Sequence, residues 1–300
     1  VTRLTPAIAL AIALAACGEP EQPASPVVAG LDRVGVGPTL DALLFGSDSP
    51  CRDGPECPSG QCLFGRCAGL ARADEPWRAE LVLDRLVELV SARPETRDLL
   101  VATLAQLSLS GEVSLPTRAR FIRALERLSA RAQLAALAAQ DLPPSIADAL
   151  ALSRIRLGEL ASLPHVVGLL DAPRPSVVVD AIRALGAAPD LPETNRAEAA
   201  AALLGVLTGD VPHVHARAAL DALVSLGFKP AARAILDFAP SAPDALRDVT
   251  FTAVSALTGA AHGRDLAAWQ RWVDASGLAA PPPFTPRTRT ADEDIGLPDP

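Results

Sequence analysis

Apolar residues recur every three or four positions from Pro76 to about Ala275. Val82, Leu86, Leu89 and Val90 form one such stripe; Leu100, Leu104 and Leu107 a second; Phe121, Leu125 and Leu128 a third. Spacing of this kind gathers the apolar side chains on one face of a helix and leaves Arg and Glu on the other. Between the stripes stand Arg93-Pro94, Leu115-Pro116, Pro143-Pro144, Leu163-Pro164 and Ala188-Pro189. These act as stop signals and predict helices of roughly ten to twenty residues joined by short turns. The pattern predicts an all-α fold over 74–277.

The helical pieces repeat. Residues 160–187 contain a helix ending in Val167-Gly168-Leu169-Leu170, a turn at Asp171-Ala172-Pro173, and a second helix through Val177, Ala181 and Leu185. Residues 193–227 echo this order, with Leu203-Leu204-Gly205-Val206-Leu207, a turn at Gly209-Asp210, and a helix through Val214 and Ala218. A weaker copy covers 230–258. This resembles the HEAT repeat, two antiparallel helices per unit of about 40 residues. The resemblance implies a HEAT-like α-solenoid in which each unit buries its face only against its neighbours. The family carries an Arg just after the Val of the second helix; here that place holds Val178 and His215. Residues 259–277, with Gly263-Arg264-Asp265 followed by Trp269 and Trp272, resemble the C-terminal element of exported bacterial HEAT proteins. The two rings are expected to cap the last repeat, the alternative being a platform on which a ligand stacks. Residues 278–300, with Pro281-Pro282-Pro283 and an acidic end, are expected to form a disordered tail.

The chain begins differently. Arg3 precedes an apolar run from Ala7 to Ala16. The run is too short to span a bilayer, which takes about 20 residues, and it suits a signal segment over 1–16. Leu14-Ala15-Ala16-Cys17 resembles the lipobox of bacterial lipoproteins. The resemblance implies cleavage before Cys17, acylation of its thiol and of the new amine by palmitate-like chains, and a membrane anchor held by several chains. The alternative is an ordinary secretory signal with Cys17 as a chance neighbour. Five cysteines are present, and four lie at 51–67, which leaves Cys17 over. Gly18, where Asp would favour the inner membrane, implies by the same resemblance an outer-membrane lipoprotein of the cell envelope.

Residues 17–48 carry the lipidated Cys and a flexible linker punctuated by Pro and Gly. Cys51, Cys57, Cys62 and Cys67 then define a Cys-rich module over 49–70. Turn residues such as Asp53-Gly54-Pro55 and Pro58-Ser59-Gly60 bring the thiols together, and so short a segment needs covalent closure. Two disulfides are expected. Three pairings are possible, with Cys51–Cys62 and Cys57–Cys67 preferred. Zinc is the rival, but no C-x2-C knuckle is present, and a redox role lacks a C-x-x-C. The run from Cys57 to Cys67 resembles small cysteine modules of exported proteins from predatory and gliding bacteria.

Composition narrows the function. Aromatic residues make up only 3% and Tyr is absent, so the core must be built from Leu, Ala and Val. A net charge of −8 argues against nucleic-acid binding. No Gly-x-Ser-x-Gly, phosphate loop or His-Glu-x-x-His occurs. His213 and His215 lie about 200° apart on a helix and are poorly placed to share a metal ion. His165 and His262 are read as structural or solvated. No catalytic residue, metal site or cofactor is expected. The reading is a non-catalytic, membrane-anchored protein-binding scaffold with an unidentified protein partner. The alternatives are an envelope-assembly lipoprotein that binds through its Cys-rich module and, more remotely, a HEAT protein acting as a lyase or metal carrier.

Overall fold

The computed structural model describes residues 43–44, 46–50, 52, 57, 62–63, 66–67, 69–70, 76–111, 113–188 and 190–287. The expected signal segment, Cys17 and nearly all of the linker lie outside the described residues. The chain divides into two units, 1–103 and 104–300.

In the first unit, the cysteine segment holds a small antiparallel sheet in the order β1-β3-β2, with β1 at Ser47–Pro50, β2 at Cys62–Leu63 and β3 at Arg66–Cys67. Cys62 faces Cys67 across the β2–β3 pair, and Leu63 faces Arg66. Strands this short hold little by themselves. Leu43, Leu44 and Leu70 are buried beside them. Helix α1 (Pro76–Ala92) follows. Its predicted stripe is the buried one: Val82, Leu86 and Val90 are inside, joined by Leu83. The boundary between units falls within α2 (Arg97–Leu109).

The second unit is built of helices joined by short turns as far as residue 276. After α2 come α3 (Leu115–Arg127), α4 (Arg131–Ala138), α5 (Pro144–Arg156), α6 (Leu163–Gly168), α7 (Pro175–Gly186), α8 (Glu193–Thr208), α9 (His213–Leu226), α10 (Ala231–Phe238), α11 (Asp244–Thr258) and α12 (Leu266–Ser276). A 3-10 turn, Leu169–Asp171, continues α6. The helices pair in sequence: α4 with α5, α6 with α7, α8 with α9 and α10 with α11. They also stack in two rows. In one, α3, α5, α7, α9 and α11 each touch the next; in the other, α6, α8, α10 and α12 do. We call these the second-helix row and the first-helix row.

Three of the prolines read as stop signals, Pro116, Pro144 and Pro164, lie in the first turns of α3, α5 and α6, and other prolines of the array behave alike. Pro144 and Pro175 open α5 and α7, and Pro192, Pro212 and Pro243 sit immediately before α8, α9 and α11. The first helical position needs no backbone N–H donor, and the fixed φ of proline suits it, so proline ends one element by beginning the next. At the other end, Gly227 and Gly259 close α9 and α11 in the left-handed conformation, with φ of 66° and 77°.

The core confirms the use of small residues. Ala181, Ala184 and Ala219 are fully buried where α7 meets α9. Without long side chains between them the two backbones come close: a Cβ on Gly186 would lie 2.6 Å from the Ala222 Cα. Val178 and His215 both turn inward. The positions at which the repeat family carries arginine are therefore core positions here, and Val214, just before one of them, is 60% exposed.

One polar side chain is buried to close a helix end. Arg118, only 7% exposed, donates from Nε to the Ser108 carbonyl oxygen at 2.6 Å. That carbonyl belongs to the last turn of α2, where a helix runs out of its own backbone donors. Replacing Arg118 by Met, which keeps the apolar stem, is expected to cost about 1.5–3 kcal/mol in urea unfolding. A loss under 0.5 kcal/mol, on the order of a surface change, would contradict a structural role for this bond.

Candidate partner-binding groove

Helix α8 is made largely of strong helix formers, including Ala199, Ala200, Leu203 and Leu204, yet it carries Gly205 and its capping residue is Gly209. Two glycines four positions apart lie on one face, one turn above the other. Neither has room for a side chain. A Cβ on Gly205 would lie 2.6 Å from the Thr285 carbonyl oxygen, and one on Gly209 would collide with the backbone of Arg287. Glycine is required here because another backbone passes directly over the helix.

That backbone is the segment 281–287. Residues 278–287 were expected to belong to a disordered tail; instead they return to α8 and pack there, and 288–300 lie outside the described residues. The proline content that suggested disorder also removes backbone donors and stiffens the chain, so little entropy is lost when such a segment lies down on a surface. The Arg287 N–H donates to the Gly205 carbonyl oxygen at 2.9 Å, and the Asp210 N–H donates to the Arg287 carbonyl oxygen at 2.9 Å. The Gly205 carbonyl is one of the last four of α8 and is thereby given a partner from outside the helix. The Arg287 guanidinium forms an ion pair with Asp171 at the end of the 3-10 turn after α6. Phe284 is half-buried against the core, with Leu278.

The segment lies between two open clefts of the first-helix row. One, of about 570 Å³, is walled by Leu207, Val211, Phe238 and Leu246 with Pro281, Phe284 and Pro286 of the segment. The other, of about 610 Å³, lies toward α6 and is walled by Val167, Ala201 and Ala202 with residues 283–287. The charge of the walls is one-sided. Asp171 and Glu198 line one cleft and Asp210 and Asp237 the other; apart from Arg287 itself, the one basic residue there is His213.

The residues singled out from the sequence fall elsewhere. Cys57 is buried and disulfide-bonded. Cys62 and Cys67 stand on adjacent strands, and Cys17 and Cys51 lie outside the described residues. His213 is exposed and His215 is buried, as their spacing on a helix requires, so they do not meet. His165 reaches Asp148 at 2.9 Å. Among the described residues no group of three or more His, Cys, Asp or Glu is placed to hold a metal ion.

Trp269 is fully buried. Its indole Nε1 donates to the Gly263 carbonyl oxygen at 3.0 Å, and its ring meets His262 edge-on at 4.8 Å and Trp272 at 5.9 Å. Asp265 caps the helix by accepting from the Ala268 N–H. Full burial of the Trp269 ring agrees with the expected cap on the last repeat, while Trp272 stays half-buried. The groove itself was not anticipated from the sequence. Its signal was present in the paired glycines of α8 and in Phe284, a lone aromatic among prolines.

No family model matches this chain, and neither a curated protein nor a solved structure matches it.

Proposed function

We propose that this is a membrane-anchored bacterial lipoprotein that works as a non-catalytic protein-binding scaffold through a HEAT-like solenoid. The observation that carries the binding role is the groove on the first-helix row, which already holds a polypeptide segment by backbone hydrogen bonds, an apolar contact and an ion pair. A surface that seats one peptide backbone has the donors, acceptors and relief to seat another. Two-row stacking of successive helices is what a solenoid requires, and it supports that reading of the array.

The anchor rests on Arg3, the apolar run and the lipobox-like Leu14-Ala15-Ala16-Cys17. In this reading the acyl chains hold Cys17 in the outer membrane, the linker spaces the body from it, and the Cys-rich module is closed by two disulfides. The disulfide at Cys57 supports that closure. Intact mass of the protein extracted from the envelope of its host tests this half: acyl groups on Cys17 are expected, with a gain of about four protons on reduction. An unacylated chain with free thiols would reject it.

Photo-crosslinking in the host tests the binding half. With the crosslinker placed at Glu198 or Asp237 on the groove, discrete protein adducts are expected; at Asp221, on the second-helix row, they are not. Adducts that form equally from all three positions, or from none, would reject the scaffold. The second reading, a module that binds while the array acts as a spacer, predicts that the adducts come instead from a crosslinker within residues 49–70.

A further inference from the structure

The groove is occupied by its own chain, and the occupant describes the ligand. Resting on the scaffold reading, we propose that the groove across α8 receives an extended, proline-rich, arginine-bearing peptide of a partner protein, and that residues 281–287 are a resident strap which this peptide displaces.

Each element of the strap corresponds to a feature of the body that does not depend on its being covalently attached. The glycine pair Gly205 and Gly209 leaves space for a backbone, whichever chain supplies it. The Gly205 carbonyl and the Asp210 N–H form a donor–acceptor pair that any extended residue can meet, as Arg287 does. An aromatic or apolar side chain two or three residues before that point falls on the cleft lined by Leu207, Phe238 and Leu246. The four carboxylates along the walls select a basic peptide over an acidic one. Proline in the ligand reduces the entropy lost on docking, which favours a segment of the strap's own kind.

The strap is held weakly enough to leave. It makes two backbone hydrogen bonds, one ion pair and the apolar contact of a half-buried Phe284; Thr285 and Pro286 are exposed, and open clefts remain on both sides of it. A tethered occupant acts at an effective concentration of about millimolar. A partner peptide must therefore compete, and the groove stays closed to peptides that match the strap less well. The arrangement makes the strap a threshold on binding.

The probe is a fluorescently labelled synthetic peptide with the sequence of residues 279–287, titrated by anisotropy into the full chain. Phe284→Ser with Arg287→Glu unseats the strap while leaving every groove residue in place. This double variant is expected to bind the peptide at least about tenfold more tightly than the parent chain. Adding Gly209→Val to the double variant is expected to abolish binding, and a scrambled peptide is expected not to bind. A folded double variant that binds no better than the parent, or that binds the scrambled peptide equally, overturns the proposal.

Should the double variant not fold, hydrogen exchange on the parent chain decides. Excess peptide should speed exchange at the Arg287 amide, which donates to the Gly205 carbonyl, while α8 stays protected; unchanged Arg287 exchange at saturating peptide overturns the proposal. The crosslinking experiment above is read in the host and does not use this peptide. A scaffold that binds by other contacts would pass that experiment and fail this one.

Discussion

Trp269→Ala is expected to lower the unfolding free energy of the helical unit by about 3–5 kcal/mol, read from urea or guanidinium denaturation. Among the described residues Trp269 is the largest fully buried side chain, and it belongs to the same continuous core as α7, α9 and α11. Its removal would leave a void at the end of the array, where α12 packs on α10. It would also orphan the Gly263 carbonyl, which the indole N–H now meets. Two further variants separate these effects. Trp269→Phe keeps much of the ring but not the donor, and is expected to cost about 1–3 kcal/mol for the unsatisfied carbonyl and the lost volume. Trp272→Ala, at a half-buried position, is expected to cost less than Trp269→Ala. If the two alanine variants were equally mild, the Trp pair would not be closing the core.

Gly186→Ala gives a test of sign. In an unconstrained helix, replacing glycine by alanine stabilises by about 1 kcal/mol. Gly186 has ordinary negative φ, so nothing in its own backbone forbids the change. The obstacle is across the interface: the new methyl would lie 2.6 Å from the Cα, 2.7 Å from the Cβ and 3.0 Å from the carbonyl oxygen of Ala222. Backbone atoms cannot swing aside as the end of a side chain can, so α7 and α9 would have to separate. That costs about 1–3 kcal/mol, and more for Gly186→Val. A destabilised alanine variant with a worse valine variant is the expected result by thermal or chemical unfolding. A stabilised alanine variant would mean that the two helices do not approach as closely as described.

Gly186 and Gly205 look alike in the sequence, each near the end of a helix after a run of Ala and Leu. One is there because a helix of the next repeat passes close by, the other because a distant segment crosses it. No local rule separates the two cases, since the reason for each glycine is an atom from elsewhere in the chain. The same holds for Arg118. An arginine in an amphipathic helix is ordinarily a solvated one, and of the four in α3 the proximity of Arg118 to the last turn of α2 makes it internal. His213 and His215 show the opposite case. Their separation around a helix follows from spacing alone, and the exposed and buried rings agree with it.

The cysteine segment stands between these cases. Its turns and its need for covalent closure were legible from Pro, Gly and the short span between thiols. The strand pairing that sets Cys62 opposite Cys67 was not, because residues in two-residue strands carry no periodicity.

Read alone, the chain disclosed the helical class of the body and the pairing of the helices over 160–227. Those features depend on interactions three or four residues apart and on the backbone properties of proline and glycine, which every stretch of chain carries with it. The groove and its strap came from the packing of distant segments. A proline-rich stretch has no hydrophobic period of its own, so its conformation depends on whether a matching surface lies within reach. Here that surface is assembled from α6, α8 and α10, which lie far apart along the chain and become neighbours only when the repeats stack.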